Sequence, residues 1–216
     1  MVTPPVLTDG PLTLRVPVGA DAARITELCQ DPAVQAWTTV PTPYLPEHAV
    51  GFLESVGTGW DDGENRVWAI VEDGVLHGMI GLHRVRRGAG EIGYWLGPDA
   101  RGRGLLNRAL NLVLDHAFDP VGGACEVVEW RAFAGNWPSW RAVWRLGFRF
   151  DGVARLGVPR GAGRVDDWMG SLLRGEPRAP RAPWPGLEDV RPTPLDLPEP
   201  WPAVPAGPTR PTLDGE

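Results

Sequence analysis

The apolar positions of this chain follow two periods, and the longer one is cleanest between residues 105 and 118. Leu105, Leu106, Ala109, Leu110, Val113, Leu114, Ala117 and Phe118 line one face of a predicted helix, with Asn107, Arg108, Asn111, Asp115 and His116 on the other. Shorter stretches carry the alternation of a half-buried strand. Residues 12–16 predict a first strand, and 67–71 with 76–85 an antiparallel pair turning at Asp73-Gly74. Residues 91–96 predict a fourth strand, 126–133 a fifth, and 148–156 with 166–173 a closing hairpin. Two helices come early: 22–30, capped by Asp21, and 46–56, with Pro46 in its first turn. A last helix lies before Gly147, a C-terminal stop, with Asn136 or Ser139 as its N-cap. The order is β-α-α-β-β-β-α-β-α-β-β.

Between the fourth strand and the long helix the chain reads Gly97-Pro98-Asp99-Ala100, then Arg101-Gly102-Arg103-Gly104. A strand that ends in a glycine loop and opens a helix points several unpaired N–H groups, and the positive helix end, into one small volume. Glycine lets an anion approach the backbone. Arg101 and Arg103 add charge, either pairing with phosphate oxygens or standing in solvent at a basic helix start. A second signature follows: Asn136 and Ser139 in the spacing Asn-x-x-Ser, with Gly147-Phe148 beginning eight residues after the serine.

Together these segments, preceded by Glu-Ile-Gly-Tyr-Trp-Leu, resemble the GNAT superfamily of acyl-CoA N-acyltransferases, in its RimJ/RimL-like branch. Arg101 and Gly104 fit the family's first motif, and Leu106 stands where a small residue is usual. Asn136, Ser139, Gly147 and Phe148 fit the second. The resemblance covers residues 10–174. It implies an α/β (α+β) fold: a mixed, mostly antiparallel sheet of about seven strands flanked by about four helices, with strands four and five splayed. It also implies acetyl-CoA as cosubstrate, with the pantetheine arm against Tyr94, Trp95 and Leu96. The pyrophosphate would rest on the backbone of Arg101, Gly102, Arg103, Gly104, Leu105 and Leu106. Asn136 and Ser139 would complete the cofactor contacts.

Composition narrows the setting. A 43% hydrophobic content allows a core, and a net charge of −6 argues against a general attraction to nucleic acid. Cys29 and Cys125 form no metal or redox spacing, no metal is expected, and no apolar run approaches membrane-spanning length. A cytoplasmic protein is expected. All the basic residues are arginine, read as coding bias. From 177 to 216 the chain holds 12 of its 24 prolines and cannot build a core of its own. The domain is therefore expected over 1–175, followed by a Pro-rich tail or linker over 176–216 that Trp184 and Trp201 could pin to the surface. Residues 209–215 resemble 3–10, which chance or a second domain in a longer parent would explain.

Several side chains are candidates for chemistry. The hydroxyl of Ser139 could donate to the departing sulfur, or merely cap its helix. Tyr94 is an alternative acid, or a core aromatic. Glu91 could take the amine proton through a water, or be a solvated strand end; Glu129 and His83 are lesser candidates. Trp37, Tyr44 and Glu91 would meet the acceptor, a small-molecule amine or a protein N-terminus. The absence of a clear base tilts toward amines of low pKa. The leading function is transfer of an acetyl group to a primary amine by direct attack in a ternary complex. An inactive acyl-CoA-binding module is the alternative, and a phosphate-loop NTPase is disfavoured because no lysine follows the glycines. A homodimer is compatible with this reading.

Overall fold

The computed structural model describes residues 4–161 and 163–184. One eight-stranded sheet runs in the order β1-β2-β3-β4-β5-β6-β8-β7. The strands are β1 (Leu7–Asp9), β2 (Leu12–Arg15), β3 (Arg66–Glu72), β4 (Val75–Arg86), β5 (Ala89–Leu96), β6 (Val127–Phe133), β7 (Arg149–Arg160) and β8 (Gly163–Leu173). The helices are α1 (Ala22–Leu28), α2 (Pro32–Trp37), α3 (Pro46–Asp62), α4 (Leu105–Phe118) and α5 (Trp137–Trp144). Every neighbouring pair is antiparallel except β5–β6, which is parallel.

Side-chain alternation along the strands makes two cores. Leu12, Leu14, Trp68, Ile70, Ile80, Leu82, Ile92, Val128 and Trp130 face one way and meet the apolar stripe of α4 and the inner face of α5. Val67, Ala69, Val71 and Met79 face the other way and meet α1 and α3 through Ile25, Leu28, Ala49 and Val56. The sheet is thus a wall between two helical layers, a stable solution for a two-faced sheet.

The sequence-predicted elements appear, with differences that have local causes. β1 and α2 were not predicted: three and six residues are too short to show a period. α3 continues to Asp62, past Gly57 and Gly59. Gly59 is required there, because a β-carbon would lie 2.6 Å from the carbonyl oxygen of Asn65. Asp21 does not cap α1. Its carboxylate takes two bonds from Arg15, at 2.7 and 2.8 Å, and one from the Val18 N–H at 2.7 Å. α5 closes as predicted, with Gly147 at φ +84. Its N–H reaches Trp144 O at 3.0 Å and that of Phe148 reaches Val143 O at 3.3 Å, the two bonds of a Schellman stop.

The ordered chain also runs beyond residue 175. Trp184 packs edge-on against Trp144 and Trp137, with centroids 5.0 and 6.2 Å apart. Arg178 pairs with Asp115 at 2.7 Å, and Ala182 O accepts from Trp144 Nε1 at 3.1 Å. Trp184 thus stands against the domain surface, in the way a pin for the Pro-rich segment would. Trp201 and the 209–215 segment lie outside the described residues.

Candidate active site

β5 and β6 begin as partners and then part. Their register runs from Ala89↔Val127 to Ile92↔Trp130 and stops there. Beyond it, Gly93, Tyr94, Trp95 and Leu96 remain paired to β4 on one side only. The other side of β5 offers unpaired N–H and C=O groups to an extended amide chain. Arg101 takes one of them, donating to Leu96 O from Nη2 at 2.8 Å and from Nε at 3.1 Å.

The track continues into the glycine loop. Pro98–Ala100 makes one tight turn. Gly102 and Gly104 then take φ +75 and +76, with nothing within 4 Å of where a β-carbon would stand. This left-handed conformation favours glycine, and here it frees both the backbone and the space before it. Gly104 is the N-cap of α4, so the first N–H groups of the helix, at Leu105, Leu106 and Asn107, point outward without an intrahelical partner. Leu105 is buried and Leu106 partly buried against the first core, so the large residue at 106 serves packing and leaves the N–H groups clear.

The arginines of the loop differ from expectation. Arg101 pairs with Asp31 at 2.6 Å, and Arg103 with Glu72 at 2.5 Å. Arg108 also holds Glu72, at 3.1 Å. The two loop guanidinium groups are committed to carboxylates and not directed into the glycine turn, because acidic partners from α2 and β3 stand within reach. The donors of the loop that remain without a protein partner are backbone N–H groups.

On the α4–α5 side of the splay, Tyr94, Ser139 and Trp130 form a closed network. Trp130 Nε1 donates to Ser139 Oγ at 3.0 Å. Tyr94 Oη lies 3.0 Å from both Ser139 Oγ and Ser139 O. Since the indole nitrogen can only donate, one consistent assignment runs Trp130 N–H to Ser139 Oγ, Ser139 O–H to Tyr94 Oη, and Tyr94 O–H to Ser139 O. Burial raises the Tyr94 pKa, against the lowering effect of the neighbouring Ser139 and Trp130, so the phenol stays protonated. The capping alternative for Ser139 is not met. Asn136 is the N-cap, accepting from the Ser139 N–H at 3.2 Å, and this bond occupies its side-chain oxygen. Trp130 was missed because its role depends on a contact between β6 and α5.

The opposite face of the same strands carries charge. His83, Glu91, Glu129, Ser171 and Arg149 stand in one cross-strand row. Glu91 pairs with Arg84 at 3.2 Å. Its pKa lies above the ordinary carboxylate value, chiefly through burial; Arg84 and Arg131 oppose this rise, and Asp167 and Glu129 add to it. Arg131 is the first residue of β6 past the paired region. It donates to Asp167 at 2.6 Å, and Asp167 is 4% exposed. Trp37 ends α2 and lies against the turn after β6, where a β-carbon on Gly135 would be 3.8 Å from its ring. Arg160, at the end of β7, donates to Ala36 O at 2.7 Å and lies 5.0 Å over the Phe133 ring, tying the β7–β8 hairpin to α2 beside Trp37.

Tyr44 is not part of this wall. It is 5% exposed in the second core, and burial pushes its pKa up to about 12. The short, proline-flanked segment before α3 turns its ring inward, against His48. Trp95 also packs partly into that core, and Leu96 lies at the edge of the first, so both present backbone to the splay. Arg84, Arg131, Asp167 and Arg160 were not singled out from the sequence. Single charged residues in strands carry no periodic signal, and only the sheet register assembles them.

Residues 11–149 match the family model described as an acetyltransferase (GNAT) domain. A curated relative, "Putative ribosomal N-acetyltransferase YdaF" of Bacillus subtilis (strain 168), is 29% identical over 172 residues, spanning 76% of this chain and 92% of its own. Among solved structures, RimL, the ribosomal L7/L12 alpha-N-protein acetyltransferase in complex with coenzyme A, aligns with TM-score 0.72 at 16% identity, over 78% of this chain and 98% of the other. The microcin C7 self-immunity acetyltransferase MccE, in complex with acetyl-CoA and AMP, aligns with TM-score 0.71 at 19% identity, over 76% and 93%. At these identities the two structures bear on the fold.

Proposed function

The chain belongs to the GNAT acetyltransferase family, and from that premise we propose that it moves an acetyl group from acetyl-CoA to the α-amine of a protein or peptide by direct attack. The observation that carries this reading is the continuous backbone track. The free side of β5 from Gly93 leads into the open glycine turn, and then to the N-terminus of α4. The residues present fit acetyl-CoA: extended amide groups can pair with β5, and a pyrophosphate can accept from the N–H groups at Gly102–Asn107. Acetyl-CoA supplies the activated thioester.

The two faces of the splay divide the remaining work. Tyr94 and Ser139 sit on the α4–α5 side, where their hydroxyl protons can reach a departing thiolate. Glu91 lies on the other side, on the face it shares with Arg131, and its carboxylate would hold the incoming ammonium. No acid or base in this scheme needs a covalent acyl-enzyme, and both cysteines are buried. The YdaF and RimL names support a ribosomal-protein N-terminus as the acceptor class.

The test is thiol release from acetyl-CoA against a panel of peptides with free N-termini, N-blocked peptides bearing lysine, and small amines, with products read by mass spectrometry. A mass gain at the α-amine of peptides is expected. Acetylation confined to small amines would reassign the acceptor. Binding of acetyl-CoA without transfer to any amine would leave an acyl-CoA-binding module.

A further inference from the structure

We propose that His83, rather than Glu91, takes the proton from the acceptor amine. The inference rests on the acetyl-transfer reading above.

The geometry comes from two glycines and a bulge. Gly81 on β4 pairs with Gly93 on β5, two register positions from His83 and Glu91 and so on the same face of the sheet. The imidazole lies over this glycine pair. A β-carbon on Gly81 would stand 2.6 Å from His83 Nε2, and one on Gly93 would stand 3.4 Å from the ring. Gly93 is also the first residue of β5 beyond the last β6 partner. The two missing side chains therefore leave a shelf on which the ring reaches the mouth of the splay. A reacting thioester paired to β5 would lie at that mouth. Among the described residues no hydrogen bond engages the His83 ring, so its nitrogens are not committed to the protein.

Directly after His83 the β4–β5 register shifts, and Arg84 takes φ +52. Such a conformation costs a non-glycine residue on the order of 1 kcal/mol. In a regular strand Arg84 would point to the opposite face from His83. The bulge turns it back, and its guanidinium reaches Glu91. Bulges re-aim side chains in this way beside active sites. The outcome separates two roles: Glu91 stays paired to a cation, while no hydrogen bond among the described residues engages His83.

The surroundings agree. Burial lowers the His83 pKa below the ordinary histidine value, and the Arg84 cation lowers it further. Other charged groups on this face are Glu91 on β5, Glu129 and Arg131 on β6, Asp167 on β8 and Arg149 on β7. β3 presents Val67 beside Gly81, and the acidic residues of α3, Glu47, Glu54, Asp61 and Asp62, are exposed. An imidazole that is neutral at pH 7 and free of protein hydrogen bonds can accept a proton there, which suits it to the task. In the step, the amine nitrogen bonds to the acetyl carbon and the carbon–sulfur bond breaks. The nitrogen's proton passes to a ring nitrogen of His83, and the sulfur receives a proton from the Tyr94–Ser139 hydroxyls. The imidazolium then returns its proton to solvent, and the oxyanion left at the Tyr94–Ser139 pair regains a proton from solvent, so that each turnover restores both groups.

The experiment compares wild type with His83→Gln and Glu91→Gln, measuring kcat/KM against pH with one peptide acceptor. The acceptor's own titration is common to all three proteins and cancels in the ratios. His83→Gln should lose about 10²-fold in kcat/KM near pH 7, with acetyl-CoA affinity within twofold by calorimetry. It should also lose the acid limb that wild type shows below pH 6.5. Glu91→Gln should keep that limb and raise the acceptor KM. In wild type, an NMR titration of the His83 ring should give the pKa of the kinetic limb, a readout that needs no variant to fold. A His83→Gln enzyme within twofold of wild type, or a ring pKa that does not match the limb, would overturn the proposal while leaving acetyl transfer intact. Failure of wild type on every amine would overturn acetyl transfer itself, and this assignment with it.

Discussion

Ser139 meets two partners whose demands differ, and this decides how its loss should read. Removing its hydroxyl leaves Trp130 Nε1 without an acceptor at a residue 1% exposed, a penalty of roughly 1–3 kcal/mol. It also removes a proton source near the departing sulfur, where charge grows only in the transition state. Ser139→Ala should therefore lower kcat at least tenfold, with the acetyl-CoA dissociation constant within a few-fold and a lower melting temperature. Asn136→Ala removes the actual cap and should cost about 1 kcal/mol with less effect on kcat. Equal kcat losses in the two variants would place both in the fold and neither in the chemistry. The sequence showed which residues these were but not their division of labour. The Asn-x-x-Ser spacing permits either to cap, and the Tyr94 and Trp130 contacts that separate them span 45 and 9 residues.

Asp21 shows the same limit in the electrostatics. Its place before a helix predicted a cap, yet its carboxylate serves Arg15 and Val18. The Arg15 bond, chiefly, holds its pKa below the ordinary carboxylate value. A depressed pKa in the fold means the stabilisation is present above the unfolded value of about 3.9 and is lost as pH falls through the folded one. Asp21→Asn should then melt below wild type at pH 7, with the gap closing as the pH falls below 4. A gap independent of pH would assign the loss to packing alone.

Among the elements, the loop from Gly97 to Gly104 was the most legible. Glycines, a proline and the amphipathic helix behind them specify strand, turn and helix start without distant contacts. What the local pattern could not give is the destination of the arginines, since Asp31 and Glu72 lie far along the chain. This changes the reason Gly104 matters. Space around it is open, so a side chain meets no wall; the cost lies in φ +76. Gly104→Val should re-form the turn at roughly 1–2 kcal/mol and swing the free N–H groups away. Acetyl-CoA affinity should fall tenfold or more, about 1.4 kcal/mol. Gly102→Val should behave alike, as its φ is the same. If calorimetry finds wild-type affinity in both, the backbone of this loop is not the phosphate site.

Over the whole molecule, the fold class was legible because the strand–helix order is regular and the two cores follow simple alternation. The path of residues 176–184 was legible only as a single aromatic, Trp184, that could pin it, because proline-rich sequence hides packing that depends on such side chains. Residues 176–184 lie in a groove made by α4 and α5, and the groove is specific at Gly147. A β-carbon there would lie 2.3 Å from Pro177 O, so the glycine that stops α5 also admits the following chain. Trp184 then closes over Trp144, with Arg141 5.8 Å from its ring. Burying such a side chain is worth roughly 1.5–3 kcal/mol, and in a domain of this size that is about 3–10 °C in melting temperature. A chain cut after Arg174 should melt lower by that amount than one cut after Trp184, and Trp184→Ala in the longer chain should reproduce most of the loss. Both cuts should bind acetyl-CoA, because among the described residues the hydrogen bonds and ion pairs of 176–184 go to α4, α5 and the end of β8, and not to β5 or the glycine loop. Coincident melting of the two cut chains would show that the segment rests on α5 without holding it. Loss of binding in the shorter chain alone would mean that α4, which Arg178 grips through Asp115 and Asn111, needs that grip to hold its N-terminus in place.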